Sequence, residues 1–149
     1  MEILFKKFKD LELDELYGIL KLRHTIFVIE KKYIYQEFDE LDKSSYHVFG
    51  KIDNKIISYV RLTFNKTDVK LSRFMLDKSY RDKGLSKDMF ELSLKYIKKD
   101  KNIKKIKIDC QENMCLFFEK HGFVATSETY LMGNIAQVDM ELQIWYKND

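Results

Sequence analysis

The chain has 149 residues, enough for one domain with a sizeable core, and 45% of them are hydrophobic, which excludes a disordered chain. Its 27 basic and 24 acidic residues are interspersed and leave a net charge of only +3, so composition does not point to nucleic acid. No apolar run of about 18 residues occurs, which speaks against a membrane span, and the opening Met1-Glu2-Ile3-Leu4-Phe5-Lys6 lacks the order of a secretion signal, so a cytoplasmic protein is expected.

Residues 3–8 alternate and predict a first strand. A helix follows from Leu13, with Leu13, Leu16, Tyr17, Leu20 and Phe27 at helical spacing on one face. Arg23 falls on that same stripe. A guanidinium turned toward an apolar face requires a partner, because an unpaired buried charge is very costly. The next segment supplies Glu30, Glu37, Asp39 and Asp42, together with Tyr33 and Tyr35. Arg23 is therefore expected to reach into this acidic loop, either to pin it or to help bind a substrate. A net-acidic loop would favour cationic substrates.

Residues 46–52 and 56–64 alternate well and flank Asp53-Asn54, a turn pair, so they predict a hairpin. Arg61 lies mid-strand on the face of Ile57, Tyr59 and Thr63, which marks a second charge that is either paired or facing a cleft. Residues 71–76 form a short apolar strand. It runs through the turn Asp77-Lys78-Ser79-Tyr80 into Arg81-Asp82-Lys83-Gly84-Leu85-Ser86, which opens a helix with Leu85, Met89, Leu92 and Tyr96 on one face. A strand passing through a glycine-bearing basic loop into a helix aims free N–H groups and the positive end of the helix dipole at one point, which makes an anion site. The loop is neither a Walker sequence nor a dinucleotide fingerprint, since Gly84 stands alone.

Residues 103–110 alternate again. A short helix over about 112–120 stops at His121-Gly122. Two last strands, about 123–131 and 137–146, are joined by a turn holding Gly133-Asn134. Cys110 and Cys115 fit neither a disulfide framework nor a metal site and are read as small apolar side chains. The lysines between Lys95 and Lys107 read as a solvated face. Helices lying between strands, with hairpins elsewhere, predict a single-domain α/β fold over residues 1–149, a mixed and mostly antiparallel sheet covered by helices on both faces. Its exposed edge strands leave a homodimer open.

Three motifs in order resemble the GNAT superfamily of acetyl-CoA-dependent acetyltransferases, and more closely its ElaA-like branch. Arg81-Asp82-Lys83-Gly84-Leu85-Ser86 is similar to the superfamily's Arg/Gln-x-x-Gly-x-Gly/Ala loop, with Ser86 as the last small residue. Phe117-Phe118-Glu119-Lys120-His121-Gly122-Phe123 resembles its Phe-Tyr-x-x-x-Gly-Phe signature. The ElaA pattern is met by Leu16-Tyr17, Leu22-Arg23, Phe27-Val28-Ile29-Glu30, Tyr35-Gln36-Glu37, Asp39, Asp42 and His47. The likeness covers nearly the whole chain.

The resemblance implies a site. Phe74, Met75 and Leu76 would lend backbone groups to the pantetheine arm of acetyl-CoA, which lies beside them like an added strand. The amides of Lys83, Gly84, Leu85 and Ser86 would hold the pyrophosphate, with Arg81 nearby, and Asp82, Gln111 and Phe118 also fall on the cofactor. An amine freed of its proton would attack the thioester, with the oxyanion held by the N–H of Leu76. Arg23, Tyr35 and Arg61 fall on the acceptor side, and the acceptor is a primary amine of a small molecule or peptide. No metal is implied.

The chain departs from the pattern twice. Phe118 stands where many relatives carry the tyrosine that protonates the leaving thiolate, and Gly133-Asn134-Ile135-Ala136-Gln137 replaces Asp-Gly-Ile-Pro-His. With that histidine gone, Glu30, Glu37, Asp39 and His47 are the expected bases, through a water. The acidic loop also resembles acyl-homoserine-lactone synthases, through Asp-x-x-Asp and Arg61-Leu62-Thr63, although those enzymes are longer. An acyl-CoA-binding module that has lost turnover is the other alternative.

Overall fold

A computed structural model describes residues 1–147. Eight strands form one sheet: β1 (Glu2–Lys7), β2 (Tyr46–Ile52), β3 (Lys55–Phe64), β4 (Asp68–Leu76), β5 (Lys105–Gln111), β6 (Val124–Ala125), β7 (Tyr130–Met132) and β8 (Ile135–Gln143). Three helices accompany it: α1 (Leu13–Arg23), α2 (Leu85–Ile97) and α3 (Cys115–Glu119). The strand order is β1-β2-β3-β4-β5-β8-β6, with β7 also on β8. Only β4 and β5 pair in parallel, as the helical crossover between them requires. The expected mixed, mostly antiparallel α/β sheet is thus present.

The hairpin closes through Asp53 (φ 50°) and Asn54 (φ 64°), the left-handed pair a two-residue turn needs. One sheet face packs Val60, Leu62 and Leu71 against Met89, Phe90 and Ile97 of α2 and Phe118 of α3. The other packs Phe49, Tyr59 and Met75 against Ile19, Leu22, Ile26 and Phe27. α1 and the segment after it cover only the β1–β4 half of that second face.

Three expectations are corrected in detail. The buried side of α1 is Glu15, Ile19, Leu22 and Arg23, while Leu13 and Tyr17 are 85% and 71% exposed. α1 runs on into a π-helical stretch, His24–Glu30, whose wider turn, seen in the Lys31 N–H bonding to the Ile26 carbonyl, rotates Ile26 and Phe27 onto the sheet. In α2 the buried side is Met89, Phe90, Ser93 and Ile97, with Leu92 exposed. Ser93 is tolerated there because its hydroxyl donates to the Met89 carbonyl at 2.8 Å. The strand expected over 123–131 breaks into β6 and β7, because the Asp139 N–H donates to the Ser127 hydroxyl instead of a ladder carbonyl.

Candidate active site

β4 and β5 pair only from Asp68/Lys105 to Leu71/Ile108 and then diverge. The cause lies in β4. Tyr59 faces Met75 while Arg61 faces Ser72, so Arg73 and Phe74 together oppose Val60, a β-bulge. Arg73 sits at φ 59°, a left-handed conformation that costs a long side chain about 1–2 kcal/mol. Its guanidinium is held in return, by Glu37 at 2.7 Å and by the Glu37 carbonyl at 3.0 Å. The divergence opens a cavity of about 250 Å³ walled by Phe27, Tyr35, Asp39, Arg61, Phe74 and Gln111, with Phe118 at its side.

The backbone of Leu76 faces this split. The Asp77 N–H bonds to the Ile57 carbonyl at 2.7 Å, which makes Ser58 and Leu76 a non-hydrogen-bonded pair, so the Leu76 N–H points away from β3. Beyond it comes the loop. Asp82 (φ 63°) and Gly84 (φ 76°) are left-handed, and a side chain on Gly84 would meet nothing within 4 Å. Among the described residues, the N–H groups from Asp82 to Lys87 find no acceptor. Three of them are the unpaired donors of the first turn of α2, where the helix dipole is positive. Six adjacent free donors around an open loop are built to take an anion.

Arg81 is placed differently from the expectation. Its guanidinium grips Glu30 with two bonds of 2.9 and 3.0 Å and donates to the Leu76 carbonyl at 3.0 Å. It ties the end of the π-helical stretch to the strand end beside the loop. Arg81's hydrogen bond, opposed by burial, holds the Glu30 carboxyl below its usual range.

The acidic loop is neutralised. Arg23, 1% exposed, bonds Glu37 and Asp42; Arg61, equally buried, bonds Asp39 through two nitrogens at 2.8 Å each, and also Asp42 and Ser72; Arg73 adds Glu37. Three guanidinium groups thus meet three carboxylates, and the reason to expect a cationic substrate from this loop disappears. Burial raises the Asp39 and Asp42 carboxyls, but the arginines' hydrogen bonds and charges outweigh it and hold both below the usual range. Burial pushes the Tyr35 hydroxyl up to about 12. Arg23 and Arg61 do meet the loop carboxylates, as the buried stripe position and the mid-strand position required.

The four expected bases are all engaged inside the protein. Glu30 holds Arg81, Glu37 holds Arg23 and Arg73, and Asp39 holds Arg61. His47 is buried, one ring nitrogen 2.6 Å from the Tyr59 hydroxyl and the other 2.8 Å from the Asp42 carbonyl, and burial lowers its pKa. Of the four, only Asp39 borders the cavity. Arginine holds the Glu30 and Asp39 carboxyls below their usual range, which makes these two weak bases. Residues that sequence reasoning missed border the same cavity: Lys70 and Asp109, joined at 2.6 Å, and Gln137, known in the sequence only as a replaced histidine.

Among the described residues no group of three or more acidic, cysteine or histidine side chains could hold a metal, and no helix is long and apolar enough to cross a membrane. Cys110 and Cys115 are free thiols.

The family model for the GNAT acetyltransferase domain matches residues 17–144. A UPF0039 protein of Schizosaccharomyces pombe is 30% identical over 97% of this chain and 98% of its own length. An acyl-CoA N-acyltransferase structure from Pseudomonas aeruginosa superposes with a TM-score of 0.88 at 28% identity, covering 95% of this chain and 99% of that one. The crystal structure of Escherichia coli ElaA superposes at 0.89 with 22% identity and the same coverages. The chain therefore belongs to the GNAT acetyltransferase family, and ElaA is among the proteins whose sequence and fold it is similar to.

Proposed function

We propose that this acyltransferase uses acetyl-CoA and moves the acetyl group to a primary amine of a small molecule or peptide in the cytoplasm. The observation that carries the reading is the run of N–H groups from Asp82 to Lys87 that find no partner among the described residues, in a loop that follows β4 and opens around Gly84. The pyrophosphate takes those donors, and Lys83 adds charge. Arg81 keeps the loop and strand end in register rather than binding phosphate itself. The pantetheine arm lies along Phe74, Met75 and Leu76 toward the cavity, with Gln111 and Phe118 beside it.

Chemistry follows from that placement. The ammonium first gives a proton to water; the freed amine lone pair attacks the thioester carbon, the Leu76 N–H stabilises the oxyanion, the C–S bond breaks to release coenzyme A as thiolate, and the nitrogen's second proton passes through water to solvent, leaving the neutral amide. Phe118 has no hydroxyl to protonate that thiolate. A thiol of pKa about 8.5 leaves as an anion, and the missing acid costs up to about 100-fold in rate. Tyr35, Arg23 and Arg61 shape the acceptor side as a rigid wall.

The test is release of free thiol from acetyl-CoA across a panel of primary amines. Amine-dependent release that rises in Phe118→Tyr supports the reading. Tight acetyl-CoA binding with no release for any amine favours the alternative, a binding module without turnover.

A further inference from the structure

The face of the sheet that α1 leaves uncovered, along β5, β8 and β7, carries a polar shelf. Asp109 of β5 lies directly opposite Asp139 of β8, two like charges in cross-strand register, an arrangement that destabilises a sheet unless a cation offsets it. Among the described residues the Asp139 carboxylate accepts only the Tyr130 hydroxyl at 2.5 Å, a neutral donor. Along this face Lys107 pairs with Asp68, Lys105 with Glu141 and Lys70 with Asp109. Three lysines thus pair with three of the four carboxylates, and Asp139 is left without a cation among the described residues.

A second, independent observation lies beside it. Gln137 is 8% exposed, and its side-chain oxygen is buried with no hydrogen-bond partner. It sits on the same face as Asp139, two residues along β8, and opposite Gln111. It borders the cavity together with Asp109 and Lys70. A buried amide oxygen without a donor costs free energy that a bound N–H would recover. Lys70 already shows what Asp109 accepts, since its own ammonium rests on that carboxylate at 2.6 Å while the side chain stays 41% exposed and free to swing away.

We propose that Asp109 and Gln137 form the ammonium subsite for the acyl acceptor, and that the acceptor is a primary ammonium on an apolar or aromatic arm. The arm is assigned from the rest of the cavity wall, where Phe27, Tyr33, Tyr35 and Phe74 face the opening. Lys70 occupies the subsite when it is empty and yields it to the acceptor. This deepens the acetyltransfer reading and rests on it for its purpose.

The experiment titrates the protein with phenethylammonium chloride by calorimetry, without any cofactor, and measures acetyl-CoA binding separately. The expected pattern has three parts: Asp109→Asn weakens phenethylammonium about tenfold or more, the scale of a lost charged hydrogen bond; Gln137→Leu weakens it less; Lys70→Met tightens it about threefold by removing a competitor. Wild-type protein that does not bind phenethylammonium, an unchanged affinity in Asp109→Asn, or weakened binding in Lys70→Met overturns the subsite. Absence of acetyl-CoA binding alongside the expected amine pattern instead overturns acetyl transfer and leaves the subsite standing.

Discussion

The loop from Asp82 to Lys87 and the loop from Glu30 to Asp42 flank one strand split, and they differ in how their polar groups are used. In the first, six N–H groups have no acceptor among the described residues, and the space around Gly84 is open. In the second, Glu30, Glu37, Asp39 and Asp42 are each held by arginine. An unsatisfied run of donors can take a ligand, whereas a saturated network is scaffold. On the proposed reading the acidic loop supplies shape and the Asp82–Lys87 loop supplies affinity.

The largest effect should come from breaking the scaffold. Arg61→Ala leaves Asp39 and Asp42 short of a buried partner and should cost about 3–5 kcal/mol, read as a fall of roughly 10 °C in melting temperature for a chain of this size. Gly133→Ala comes next. Gly133 sits at φ 59°, and a Cβ there would lie 2.1 Å from the Ile34 carbonyl oxygen. Asn134 binds the same segment, accepting from the Ile34 N–H and donating to the Lys32 carbonyl, each at 3.0 Å. The substitution should cost about 2 kcal/mol and loosen the acidic loop, visible as faster amide exchange over residues 31–36.

Acidification should act on the scaffold too, with a definite sign. His47 titrates lower in the folded state than unfolded, and Glu30, Asp39 and Asp42 also lie below their unfolded values. The unfolded chain then binds more protons, so stability falls as pH drops, first below about 6.5 through His47 and again below about 4 through the carboxylates. Melting curves between pH 8 and 3 check both steps. The smallest effect is expected for Arg81→Ala. Its pair with Glu30 is partly solvated and worth about 0.5–1 kcal/mol, so acetyl-CoA affinity should drop only a few-fold, against a much larger loss if Arg81 gripped the phosphates itself.

The same contrast explains what could be read in the sequence. The strand-to-helix joint with its glycine-bearing loop was legible because its signal is local, one glycine and two cations ahead of a helical pattern. The hairpin at Asp53-Asn54 was legible for the same reason. Arg23 and Arg61 announced themselves as charges at core positions. Their effect on the loop was not legible, because the acidic loop's charge is completed by Arg73, which reaches Glu37 and Asp39 from the β4 bulge. The buried side of α1 was misplaced because Leu13 and Tyr17 share an apolar face that the fold leaves exposed, while Glu15 goes to the buried side paired with Lys6. The Asp109–Asp139 register depends on how β5 meets β8, a pairing between residues distant in sequence.

The most direct test compares acetyl-CoA with acetyl-pantetheine, which carries the same thioester and arm but no pyrophosphate. The account predicts that wild-type protein binds acetyl-CoA about 100-fold more tightly, and that Gly84→Asp, which sets a carboxylate among the free N–H groups, erases most of that difference. Equal affinity of the wild-type protein for the two thioesters, or an unchanged preference in Gly84→Asp, would contradict it.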